Sequence, residues 1–329
     1  MKKLMQKLMQ KLMQKLMLFL LCCMALTISS CTDAQQAEDM GNGIQIAYLP
    51  ITHSIALMMM NAYSSEENHS YSPYSVDLVR FSTWPDVVDA LRTGRVDGAS
   101  VLFEVALQAK NDDDSLVMLS LSHRDGNVFV VDNTIEWYHD LVGKVVAIPH
   151  RLSPQHTLLQ KVLEREGISP DDIQIIEISP AEMPFSMAAG AVSAFIVAEP
   201  FGSVAEVAGV GRILETSNEI SPSSVCCVMI FREDALTLSM LNWLLESFSV
   251  AAEMAQNKDE SVIRVFKDHT TISADVIERA LEHTDFNNLT LTENEYREIT
   301  DTIIEHGILN RVPTFHDFVF DFENGPERR

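Results

Sequence analysis

A chain of 329 residues that is 47% hydrophobic and 22% charged has enough apolar content to bury a sizeable core, so disorder is excluded for most of its length, and two domains fit that length better than one. Its 24 basic against 47 acidic residues give a net charge of −23; the first 30 residues hold five lysines and no acid, so residues 31–329 carry 19 basic against 47 acidic, or −28. Such a surface repels phosphate and no basic stripe interrupts it, so nucleic acid is not an expected partner.

Residues 1–17 repeat KLMQ, and residues 16–28 form an uncharged apolar run too short to span a bilayer. A basic segment, a short apolar segment and small residues describe an export leader over 1–30. Ile28-Ser29-Ser30-Cys31 resembles the bacterial lipobox, which implies that Cys31 is lipidated and becomes the mature N-terminus. Residues 31–43 then read as a polar tether holding the folded part off the membrane. Cys22 and Cys23 leave with the leader. Only Cys226 and Cys227 remain, adjacent in an expected strand where neighbouring side chains alternate, so one core thiol and one half-exposed thiol are expected.

From Ile44 short apolar runs alternate with helical patterns, the mark of β–α units. Strands are predicted at 44–49, 75–81, 96–101, 116–121, 127–131, 144–148, 173–178, 192–198, 212–216 and 226–231. After Glu233 the spacing turns helical, over 234–256, 259–268, 273–284 and 292–306. The run Met58-Met59-Met60 reads as buried helix, and Asp112-Asp113-Asp114 as a solvated helix end. The helix, Gly94 stop and strand of 85–100 are repeated by the helix, Gly190 stop and strand of 180–198, and an acid, Glu104 or Glu199, follows each strand. Two similar α/β lobes are the simplest inference.

Five further segments carry a resemblance. Ile46 to Ser54, Asp89-Ala90-Leu91 with Gly94 to Asp97, Asp140 to Pro149, Glu199-Pro200-Phe201-Gly202 and Glu305 to Leu309 together are similar to the type II periplasmic solute-binding proteins of ABC importers. The branch resembled binds nitrate, aliphatic sulfonates, taurine and thiamine-precursor pyrimidines. The resemblance implies two α/β lobes joined by crossing strands: first lobe 44–131, second lobe 132–225, and a return at 226–329 whose helices pack on the first lobe. It implies a receptor, not an enzyme, needing no cofactor and acting as a monomer. Its partners would be a small solute, the transmembrane subunits of a permease, and the membrane through its lipid anchor. The alternative is an enzyme of pyrimidine or menaquinone biosynthesis on the same architecture.

In open α/β sheets, ligands sit beyond the carboxyl ends of the strands, where helix N-termini point free N–H groups. On the first lobe that places Thr52, His53 and Ser54 after the first strand, Trp84 at the next turn and Ser100 in the third strand. Thr52 and Ser54 either cap their helix or meet the solute; His53 is a contact or a bystander; Trp84 stacks on a planar ligand or packs at the core edge. On the second lobe, Ser153 is a good N-cap before Pro154, with Gln155 and His156 projecting from the first turn. Arg151 either grips an anion or lies among surface acids, and Glu199 faces the cleft or caps the Pro200 helix. GxSxG, HExxH, Walker and CxxC motifs are absent, and the ten histidines are scattered without ligand spacing, so no metal site is expected.

Overall fold

The computed structural model describes residues 43–64 and 74–321; the expected leader, Cys31 and the tether through residue 42 lie outside the described residues. In chain order the strands are β1 (Gly43–Tyr48), β2 (Ser75–Arg80), β3 (Gly98–Leu102), β4 (Leu116–Leu121), β5 (Arg124–Asp125) and β6 (Asn127–Asp132). They continue with β7 (Val145–Ile148), β8 (Gln174–Glu177), β9 (Ala194–Ala198), β10 (Gly211–Thr216), β11 (Cys227–Arg232) and β12 (Thr284–Asp285). Two five-stranded sheets result, ordered β2-β1-β3-β11-β4 and β10-β6-β9-β7-β8, with β5 and β12 forming a small ribbon.

The pairing explains the sequence patterns. Every residue of β3 (GASVL), β4 (LVMLSL) and β9 (AFIVA) is buried, as expected of strands covered on both faces, whereas the edge strand β2 (SVDLVR) keeps exposed positions. β1 and β3 run parallel, as do β7 with β8 and β9; β11 returns antiparallel between β3 and β4. The strand 127–131, placed in the first lobe from the sequence, is β6 and pairs with β9 and β10 in the second sheet. Its apolar run is the same on either side of a crossover, so composition could not say which sheet it joins. The chain therefore passes between the sheets at 122–126 and back at 217–226.

The helices are α1 (Ile55–Ser64), α2 (Trp84–Arg92), α3 (Phe103–Asp112), α4 (Pro154–Glu166), α5 (Met183–Ala188), α6 (Phe201–Val207) and α7 (Ser217–Ile220), followed by α8 (Leu238–Gln256), α9 (Glu260–Asp268), α10 (Ala274–Glu282), α11 (Glu293–Glu305) and α12 (Phe315–Phe318). The repeated plan is present as α2–Gly94–β3 and α5–Gly190–β9, each glycine at positive φ (67° and 72°). Met58, Met59 and Met60 are buried beneath α8, α9 and α10 on one face of the first sheet. On its other face Phe103 meets Tyr296 and Phe318 edge-on at 6.1 and 5.8 Å, so the C-terminal helices clasp the first sheet from both sides. The second sheet has its own two cores, around Tyr138 and Leu159 and around Phe195 and Met183. No described helix is long and apolar enough to cross a membrane.

Candidate functional site

The site lies where the two sheets meet. Its first element is the turn after β1, a single 3₁₀ turn of Thr52, His53 and Ser54, all buried. Thr52 ties this turn to the second sheet: its N–H and its Oγ1 both donate to the Glu199 carbonyl, at 2.9 and 3.0 Å. His53 Nε2 faces the Gly126 carbonyl at 2.9 Å, which makes Nε2 the protonated nitrogen and leaves the Nδ1 lone pair facing inward. That nitrogen stands 3.5 Å from Cys226 Sγ and 3.6 Å from Cys227 Sγ. His123, from the first crossing segment, stacks on His53 with ring centroids 3.7 Å apart. Its Nδ1 is 3.2 Å from the Arg124 carbonyl and its Nε2 takes the Cys227 N–H at 3.3 Å.

The thiols correct the sequence expectation. Both are free and buried, with sulfurs 3.9 Å apart on one side of the chain. Cys226 precedes the regular strand, which begins at Cys227, and side chains alternate between faces only within the strand. The donor atoms of His53, His123, Cys226 and Cys227 lie within 4.8 Å of one another, a set able to hold a metal ion. Nothing in the histidine spacing announced it; the fold gathers donors from positions 53, 123, 226 and 227.

Around this cluster the second sheet supplies Asn127 and Gln155. Gln155 Nε2 donates to Asn127 Oδ1 at 2.5 Å and approaches Cys226 Sγ at 3.7 Å. Gln155 Oε1 and Asn127 Nδ2 have no partner within the protein, and turning both amides over only exchanges which two atoms are left. Glu104, at the start of α3, is buried; Thr157 donates to its Oε1 at 2.7 Å while its Oε2 has no partner. Burial, only partly offset by the Thr157 bond, pushes Glu104 up to about 8. Burial and the neighbouring His53 hold His123 down at about 4, so the His123 ring is neutral at pH 7. Burial opposes ionisation of Cys226, but the Cys227 thiol and the two imidazoles outweigh it and lower Cys226; burial and the charge on Cys226 raise Cys227.

The other sequence-predicted residues divide. Ser54 is buried, and Ser100 Oγ pairs with Ser122 Oγ at 2.9 Å beneath the seam. Ser153 caps α4, accepting from His156 N–H at 3.1 Å as its sequence predicts. Trp84 opens α2 with a buried, unpartnered Nε1 and lines a separate recess with His150 and Leu152. Arg151 is exposed and directed away: its Nη2 donates to the Ile175 carbonyl at 2.9 Å, at the edge of the second sheet. His156 turns toward Arg151 O (2.8 Å) and Gln160 (3.0 Å). The structure thus joins His53 and Gln155 at one point and leaves Arg151, His156 and Trp84 outside it. His123, Asn127, Glu104 and the two cysteines were missed; a pair of cysteines without a disulfide partner, and an acid two residues after a fully buried strand, were the available signals.

Glu199 is buried and satisfied. Its carboxylate accepts from Ser203 N–H (2.9 Å), Ser203 Oγ (2.8 Å) and His283 Nδ1 (2.8 Å), so it caps α6 and ties it to the segment after α10. Burial alone would depress His283, but the bond to Glu199 and its charge outweigh this and raise it above 6.5. A raised histidine contributes stability that is fully present below its unfolded value and lost as pH climbs through its folded value. Melting temperature should therefore fall with rising pH just above 6.5 in the wild type and change less over that window in His283→Gln, as scanning calorimetry across pH 5.5–8.5 would show.

Two cavities flank the buried cluster. One of about 610 Å³ lies at the carboxyl ends of the strands, between Leu49–Ile51, Phe81–Ser82, Ser179–Ala181 and Phe201. The other, about 360 Å³, is polar: Glu104 lines it with Arg124, Thr157, Lys161 and Glu295.

Residues 38–262 match the family model described as the NMT1-like family. A ligand-binding component of an ABC-type import system from Staphylococcus aureus, solved with zinc bound, superposes with a TM-score of 0.77 at 31% identity, covering 86% of this chain and 98% of that one. The periplasmic aliphatic sulphonate binding protein SsuA of Escherichia coli gives a TM-score of 0.71 at 19% identity, covering 85% and 92%, and shows the same fold. The nitrate import ATP-binding protein NrtC of Synechocystis is 25% identical over 246 residues, 65% of this chain; the chain spans only 36% of that protein's length. With its matched region covering more than half the sequence, this chain belongs to the NMT1-like family.

Proposed function

We propose that this chain is the extracytoplasmic solute receptor of an ABC importer, taking one small molecule at the seam between its two sheets and presenting it to a permease. The observation that carries this reading is the polar seam itself. Three buried side chains, Glu104, Asn127 and Gln155, meet there with one polar atom each that no protein group satisfies. A buried unsatisfied polar atom costs about 1–3 kcal/mol, a penalty that folding alone gives no reason to concentrate in one place. Family membership and the names of the relatives, import components for nitrate and aliphatic sulphonates, support the transport role over an enzyme on this fold.

In this reading the first sheet and its helices form one lobe and the second sheet the other, joined at 122–126 and 217–226. The polar seam offers no free guanidinium: Arg151 is spent on a carbonyl and Arg124 is paired with Glu295. The solute is accordingly not held by arginine, and Arg151→Ala should leave its affinity within about twofold by calorimetry. The zinc in the Staphylococcus aureus component brings metal cations into the range of solutes. The leader and lipobox supply export and anchoring: Cys31→Ser should move the protein from the membrane fraction to the soluble extracytoplasmic fraction at unchanged melting temperature, and retention in membranes would reject the lipid anchor.

The test of function is native mass spectrometry of the protein from its own envelope. The expected result is one bound small molecule or ion, released on denaturation and restored by adding it back. A bare mass, with no melting shift from nitrate, taurine, alkanesulfonates, thiamine-precursor pyrimidines or transition-metal ions, would contradict it.

A further inference from the structure

We propose that the seam is a tetrahedral site for one thiophilic d¹⁰ cation, Zn²⁺ as the test ion, ligated by His53 Nδ1, His123 Nε2, Cys226 Sγ and Cys227 Sγ. This rests on the solute-receptor reading and names its solute as a metal ion.

The geometry is specific. Zinc–sulfur bonds near 2.3 Å and zinc–nitrogen bonds near 2.0–2.1 Å place tetrahedral ligand atoms about 3.8 Å apart for S···S and about 3.5–3.6 Å for S···N. Here S···S is 3.9 Å, and His53 Nδ1 stands 3.5 and 3.6 Å from the two sulfurs. Three of the six edges thus match a coordination tetrahedron, and His123, within 4.8 Å of the other donors, closes the fourth corner by a small shift of its ring. The pair is also far from the ~2.05 Å of a disulfide. The outer shell fits as well: metal-bound histidines hold their second N–H on a carbonyl or carboxylate, and His53 Nε2 faces the Gly126 carbonyl while His123 Nδ1 faces that of Arg124. Coordination would replace the 3.3 Å bond between His123 Nε2 and the Cys227 N–H and the weak thiol contacts to His53 Nδ1 and Asn127 Oδ1.

The site is not the closed knot of a small zinc domain. Its donors come from the turn after β1 and from both passages between the sheets, so an ion there links the first sheet to each crossing. Gln155, from the second sheet, covers it, with its Nε2 3.7 Å from Cys226 Sγ. All four donor residues are buried, so the ion enters when the sheets part. The 360 Å³ cavity above Glu104 is the polar approach on one side, with Thr157 and Lys161 of α4 in its wall. Two thiolates and two neutral imidazoles give a neutral zinc complex, the form that a dry site tolerates; carboxylate-bound hard cations such as Ca²⁺ and Mg²⁺ find no matching oxygen cage among these four donors.

The full-length protein, released from membranes in detergent and stripped with chelator and reductant, is titrated with Zn²⁺ against a chromophoric chelator and separately with Co²⁺. One ion per chain is expected, with Co²⁺ producing the intense d–d bands of tetrahedral coordination and a thiolate charge-transfer band in the near ultraviolet. Cys226→Ser, Cys227→Ser, His53→Gln and His123→Gln should each weaken Zn²⁺ at least a hundredfold, at least as much as loss of an outer-shell partner does. His150→Gln, a histidine outside the cluster, should leave it unchanged. A stripped protein with the wild-type far-ultraviolet spectrum that takes up no ion, an ion lost equally in His150→Gln, or Cys226 and Cys227 recovered as a vicinal disulfide two mass units lighter would each overturn the proposal. If no metal binds while native mass spectrometry finds an organic solute, the receptor reading stands and the metal assignment falls. If neither is found, both fall.

Discussion

Replacing Arg124 by Met should lower the stability of the protein by about 3–5 kcal/mol, a fall in melting temperature of roughly 6–15 °C. The guanidinium is buried in the first crossing segment and acts as a hub. Its Nε donates to Asn288 O at 2.7 Å, Nη1 to Ser223 O at 3.1 Å and Nη2 to Thr290 O at 3.1 Å, while Nη2 also pairs with Glu295 at 3.0 Å. One planar fork thus joins the two crossing segments to the C-terminal segment before α11. Met fills the stem's volume and removes every donor, leaving three carbonyls unsatisfied in a partly buried place. Arg124→Lys should recover less than half of the loss, since one ammonium cannot reach three carbonyls in three directions. Thermal unfolding of the three proteins at equal pH and salt checks this; a lysine variant as stable as the wild type would show that charge alone matters.

Gly126→Ala should cost about 2–4 kcal/mol, where Gly143→Ala costs only about 1 kcal/mol, although both glycines have φ near 80° (79° and 76°). The backbone penalty is shared. What differs is the space: a Cβ on Gly126 would stand 2.8 Å from His53 Nε2 and 2.9 Å from Thr284 Oγ1, whereas nothing lies within 4 Å of one on Gly143. The added methyl must push His53 off the Gly126 carbonyl, its partner at 2.9 Å, and so displaces the ring that faces both thiols. Denaturant unfolding measures the difference between the two variants. Equal losses would mean that strain alone governs Gly126 and that His53 is not held where the geometry places it.

Much of the fold was legible in the sequence because it is written in local signals. The Gly94 and Gly190 stops, the Ser153 cap before Pro154 and the fully apolar strands each act within a few residues. The sheet that a strand joins is not local, and the apolar run of β6, which pairs with β9 and β10, reads the same on either side of the crossing. The candidate site is half legible for the same reason. His53, Ser100 and Gln155 follow from the rule that ligands gather beyond strand ends and at helix N-termini. His123 and Cys226 sit on crossing segments, whose meeting depends on how two sheets pack, and no periodicity records that. Arg151 and Glu199 looked like site residues because a charge near a strand end invites a ligand. In the fold, Ile175 O answers the first, and Ser203 with His283 answers the second.

The central claim is that the seam between the sheets is where the solute is held, and amide hydrogen exchange tests it directly. The protein is compared as isolated from its own envelope and after unfolding, dialysis and refolding in solute-free buffer. Capture at the seam predicts that stripping speeds exchange in three segments, around 122–127, 153–158 and 222–228, with little change in α8, α9 and the edge strand β8. Unchanged exchange in those three segments, with the difference falling instead at the Trp84 recess or on an outer face, would contradict it.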